Sequence, residues 1–109
     1  MEITFDNRRY QELSEQQTLA QKEFGKVGAR RLRSRLADLA AAKSVRDLVA
    51  GRPHPLKGDR AGQFALDLEG AKRLVFRPAN DPVPCREDKS IDWSKVTSIC
   101  VVFIGDYHD

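Results

Sequence analysis

Ile3 and Phe5 stand between Glu2, Thr4 and Asp6, and this period of two predicts a short first strand. Asp6 or Asn7 can then cap a short helix from Arg8 to about Leu13. Ser14 and Gln17 have capping-box spacing, predicting a second helix that runs to about Ala42. Its apolar stripe is Ala29, Leu32, Leu36, Leu39 and Ala40, and Gly25 and Gly28 mark a break or kink in its first half. Ser44 is placed to cap one further helical turn, with Asp47 in it, Leu48 and Val49 as apolar anchors, and Gly51 ending it. Phe64, Leu66 and Leu68 next share one face of a strand, and Glu69-Gly70 falls where a hairpin turn is needed. The returning strand, Lys72 to Arg77, puts Leu74 and Phe76 on one face and Arg73, Val75 and Arg77 on the other. Residues 78 to 95 hold three prolines and mixed charges, an extended connection. Val96 to Ile104 is apolar at nearly every position, as in a central strand covered on both faces. The pattern therefore predicts an α+β chain of order β-α-α-β-β-β.

A chain of 109 residues makes one domain, here residues 1 to 109. No apolar run approaches the ~20 residues that span a bilayer, and the start MEITFDNRR lacks the apolar core of a signal peptide, so no membrane contact and a cytoplasmic location are expected. Cys85 and Cys100 have no metal-ligand spacing; both are expected as free thiols, Cys100 buried in a strand and Cys85 exposed. Trp93 is expected as a packing anchor in preference to a base-stacking platform. Charge changes the picture more. Eleven Lys or Arg lie between Lys22 and Arg60 against four acids. Arg30, Arg31, Arg33 and Arg35, with Arg60, are candidates for contact with RNA, although a solvated basic helix face has the same composition.

The densest chemistry lies in residues 51 to 68, GRPHPLKGDRAGQFALDL. His54 sits between two prolines, and a residue before proline is pushed into extended conformation, so its imidazole projects from a stiff segment. Lys57 follows three residues later, with Gly58 and Gly62 turning the chain around Asp59 and Arg60. An ordinary solvated loop uses the same residue types. His54 and His108 are the only histidines, no acid-rich set accompanies them, and no glycine-rich phosphate loop is present, so neither a metal nor a cofactor is expected. General acid-base chemistry with cationic charge stabilisation remains, and it suits RNA, whose 2'-hydroxyl is an internal nucleophile.

HPLKGDRAGQF, followed by KRLVF at 72 to 76 and DYH at 106 to 108, closely resembles the HigB (host inhibition of growth, or plasmid-maintenance killer) toxins of the RelE/ParE superfamily. The resemblance implies a small antiparallel-rich sheet of about four strands with two or three helices on one face. It implies a ribosome-dependent messenger RNA endoribonuclease belonging to a type II toxin-antitoxin system. The implied partners are the ribosome with bound message and a HigA-type helix-turn-helix antitoxin, with operator DNA reached only through that antitoxin. His54, Lys57, Arg73, Asp106, Tyr107 and His108 fall on the family's functional positions. Which imidazole is acid and which is base stays open. The segment 78 to 95 is longer than in small members of the family. Two other readings stand beside this one: a ParE-like toxin that binds DNA gyrase, and a non-catalytic RNA-binding module.

Overall fold

A computed structural model describes residues 1–107. Five strands, β1 (Glu2–Phe5), β2 (His54–Pro55), β3 (Phe64–Asp67), β4 (Arg73–Pro78) and β5 (Ser98–Gly105), form one sheet in the order β1-β5-β4-β3-β2, with β1 parallel to β5 and all other neighbours antiparallel. Four strands were expected; the fifth is β2, only His54–Pro55, paired to Ala65 and Phe64 of β3 (Phe64–Asp67). The order is therefore β-α-α-β-β-β-β. A two-residue strand carries no periodicity, which is why the pattern does not announce it.

Helix α1 is Arg8–Glu15, capped by Asn7, whose Oδ1 accepts from the Tyr10 amide at 3.1 Å. Helix α2 is Gln17–Ala41, interrupted at Gly25, where φ is +77°. That conformation favours glycine, and it sets the kink expected in this half of the helix. Ser14 does not cap α2: it lies inside α1, and its hydroxyl donates to the Tyr10 carbonyl at 2.8 Å. The chain enters α2 through Gln16 with no side-chain cap. At the far end the Met1 ammonium donates to the carbonyls of Leu39, Ala40 and Ala42 at 2.8 to 3.0 Å, satisfying acceptors that a helix terminus leaves open.

Leu32, Leu39, Leu66, Leu74, Phe76, Ile99 and Val101 form the centre of a core between α2 and the sheet. The turn Val45–Asp47 anchors through buried Val45, whereas Val49, expected as an anchor, is 85% exposed. Trp93 packs as expected, its ring 4.8 Å from that of Phe64, which stacks on Phe76 at 5.7 Å. Cys100 is buried and Cys85 exposed.

Between β4 (Arg73–Pro78) and β5 the register slips: Val75 pairs with Phe103, but Phe76 pairs with Val101. Val102 is the extra residue of a bulge. Strict alternation would send Phe103 to the same side as Val101. The bulge moves it across, into register with Val75, which pairs with Ala65, which pairs with His54. Directly paired residues share a face, so His54, Ala65, Val75 and Phe103 form one row on the face away from the core. Asp67, Arg73 and Gly105 form the next row.

Candidate functional site

The loop between α2 and β3 is held by a left-handed turn, with φ of +84° at Gly51 and +47° at Arg52. The Asp67 amide donates to the Gly51 carbonyl at 2.6 Å, which ties this loop to β3. The Asp67 carboxylate completes the attachment. Its Oδ2 accepts from Arg52 Nε at 2.9 Å, and its Oδ1 lies 2.8 Å from Arg73 Nε. The hydrogen bond to Asp67, and then its charge, raise the Arg52 guanidinium above its ordinary pKa. Arg73 was expected to stand presented on the open face. It is on that face, but its side chain is only 16% exposed and also donates to the Lys72 and Gly70 carbonyls.

His54 Nδ1 lies 2.7 Å from the Arg52 carbonyl oxygen. A carbonyl can only accept, so Nδ1 carries the proton in this contact. Nε2 is left to accept a proton when the ring is neutral and to donate one when it is charged, which is the requirement for a general base or acid.

Beyond His54 the chain turns through Gly58–Arg60 and encloses a cleft of about 340 Å³ lined by Leu56, Lys57, Asp59, Arg60 and Tyr107. The Arg60 guanidinium lies over two rings, 4.9 Å from the centroid of Phe103 and 4.9 Å from that of Tyr107. Gln63 Oε1 accepts from Arg60 at 3.0 Å and holds it there. Phe103 and Tyr107 meet edge to face at 6.0 Å. The cleft thus joins fixed cationic charge to an aromatic surface, a combination that fits a phosphate with its base.

Of the residues singled out in the sequence, Lys57, Arg60 and Tyr107 line this cleft, and His54 leads into it along β2. Arg73 pairs in register with Gly105, so Asp106 follows directly from its partner. His108 lies outside the described residues. Arg30, Arg31 and Arg33 are exposed on α2, and Arg33 bonds Gln17. Arg35 differs from them. It is 17% exposed, pairs with Asp38 at 2.9 Å and packs beneath Gly51. Three residues of the site escaped the sequence reading. Arg52 and Asp67 look like ordinary loop and strand residues until they pair, and Phe103 looks like core until the bulge turns it.

No family model matches this chain, and no curated protein does. Among solved structures it is similar to the YoeB/ParE toxin from Agrobacterium tumefaciens, with a TM-score of 0.58 and 15% identity over 98% of this chain and 99% of that one. It is also similar to the YoeB-YefM complex from Staphylococcus aureus, with a TM-score of 0.59 and 14% identity over 98% of this chain and 97% of that one. The chain has the fold of the YoeB/ParE toxins. This is the RelE/ParE-like architecture expected from the motifs, with one more strand. The likeness does not reach the HigB branch, which rests on the motifs alone. Among the described residues no helix is long and apolar enough to cross a membrane, and no three His, Cys, Asp or Glu side chains are grouped as metal ligands.

Proposed function

We propose that this chain is the toxin of a type II toxin-antitoxin system and acts as a HigB-type, ribosome-dependent messenger RNA endoribonuclease in the cytoplasm. The observation that carries this reading is the cleft of Lys57, Arg60 and Tyr107 at the end of a strand whose His54 is held by one ring nitrogen. In the reaction, a base takes the 2'-hydroxyl proton, the oxygen attacks the adjacent phosphorus in line, and an acid protonates the departing 5'-oxygen. The products are a 2',3'-cyclic phosphate and a 5'-hydroxyl. His54 and His108 are the acid-base pair, and Lys57 and Arg73 offset charge on the phosphoryl oxygens. Tyr107 stacks on a base or donates a hydrogen bond, and Asp106 orients a neighbour. The proposed chemistry takes no metal. A second structure of this fold was solved as a YoeB-YefM complex, and for this chain we assign a HigA-type antitoxin as partner.

Single-turnover cleavage of ribosome-bound message tests the reading. Wild type should cut, and His54→Gln and His108→Gln should each lower the rate by roughly 10²-fold or more, the usual scale for losing a general acid or base. Melting temperature should be unchanged. A wild-type chain that leaves the message intact overturns the nuclease reading; inhibition of gyrase supercoiling would then identify the ParE-like alternative.

A further inference from the structure

Residues 78 to 95 play no part in the reaction just described, yet they build one wall of a second groove. The Arg86 amide donates to the Ser90 carbonyl at 2.8 Å and the Lys89 amide to the Arg86 carbonyl at 2.9 Å, closing a tight turn. Lys89 sits in it at φ +72°. Asp88 accepts from both the amide and the hydroxyl of Ser90, and Asp92 accepts from the Ser94 amide, so these two carboxylates are bound within the segment. Across a groove of about 570 Å³ stand Arg46 and the far side of the His54 loop, Pro55 and Ala61 to Gln63. Among the described residues Arg46, Arg86 and Lys89 line this groove and no carboxylate does; Pro55, Ile91 and Trp93 supply its apolar surface.

We infer that this groove binds a single-stranded stretch of RNA, the part of the strand that runs on from the candidate cleft. The inference rests on the RNA reading above. Its physical basis is continuity: one short loop separates the two, with Leu56, Lys57, Asp59 and Arg60 facing the cleft and Pro55 with Ala61 to Gln63 facing the groove. Three cations with no acid among the described lining residues suit phosphates, and the apolar surface suits the face of an unpaired base or ribose. A duplex hides its base faces, and an acidic polypeptide would satisfy the cations but make no use of that surface.

The test is binding of a labelled single-stranded 2'-O-methyl oligoribonucleotide, which cannot be cleaved through its 2'-oxygen, measured across a salt series. The double reversal Arg86→Glu/Lys89→Glu should weaken binding by ~10-fold or more and flatten the log–log salt slope by about 1.4, as expected for two lost phosphate contacts on a single strand. The equal reversal Arg8→Glu/Arg9→Glu, at exposed positions on α1, should stay within about two-fold. Wild-type affinity in the Arg86/Lys89 variant overturns the groove while cleavage of ribosome-bound message still stands as a separate measure of the nuclease. Failure of the wild-type chain to bind the oligonucleotide also overturns the groove. Equal or tighter binding of duplex RNA, or of polyglutamate, overturns its assignment to single-stranded RNA.

Discussion

Asp67 holds two arginines with one carboxylate, but the two pairs are not equal. Arg52 is 67% exposed, where water screens the pair and side-chain freedom opposes it, whereas Arg73 is 16% exposed. Most of the effect of Asp67 therefore lies on Arg73. Asp67→Asn keeps the shape and removes the charge. It should cost about 1 kcal/mol, a fall in Tm of about 4 to 8 °C for a domain of roughly this size, and it should lower the cleavage rate because Arg73 is no longer fixed. A variant with wild-type Tm and wild-type cleavage would leave the pair with no role in either. Gly51 belongs to the same construction. Its φ of +84° strains any side chain, and a Cβ there would lie 2.9 Å from Arg35 Cδ and 3.2 Å from the Asp67 carbonyl.

Trp93 sits at the start of a single 3-10 turn, Trp93–Lys95, capped by Asp92. The hydrogen bond from the Ser94 hydroxyl is the main cause of a lowered Asp92 pKa, assisted by the Ser94 amide, Lys95 and Arg86. A carboxylate whose pKa is lower in the folded chain contributes stability above its unfolded value of about 4, and the contribution is lost as pH falls through the folded value. Acid should therefore loosen this turn. Trp93 is the only tryptophan, so its emission reports the change. A red shift should begin as pH drops below about 4, and Asp92→Asn, which cannot titrate, should flatten that response. Identical acid profiles for the two proteins would show that Asp92 does not hold the turn.

The exposed cations of α2, Lys22, Lys26, Arg30 and Arg31, spread positive charge along a molecule 44 Å in its longest dimension. Phosphate contacts made through such a field fall steeply with salt. Reversing Arg30 and Arg31 to Glu should weaken co-sedimentation with ribosomes and reduce its salt dependence without lowering Tm. Arg35→Glu should behave differently: it places an acid beside Asp38 beneath the Gly51 turn and should lower stability first. Co-sedimentation of the Arg30/Arg31 variant equal to wild type at every salt concentration would leave these arginines as a solvated helix face.

Both helices, the kink at Gly25, the Glu69-Gly70 hairpin, the central position of the last strand and the burial of Trp93 follow from residues close together in the chain, or from apolar content alone. Period, the Asn7 cap of α1 and glycine at positive φ are local, so the pattern of the chain carries them, whereas the cap expected for α2 at Ser14 does not form. His54 and Lys57 were marked by the same kind of signal, a stiff proline-flanked turn. The rest depends on partners far away in sequence. β2 exists because Ala65 and Phe64 accept His54 and Pro55 as neighbours. Arg35 and Arg31 stand four residues apart in one basic run, yet only Arg35 is covered, because the Gly51 turn folds over it. The bulge at Val102 carries Phe103 out of the apolar run and beneath Arg60, and no alternation within β5 contains that change. A strand's own pattern fixes which residues alternate; the pairing of β5 with β4 fixes where the alternation breaks, and with it the aromatic side of the cleft.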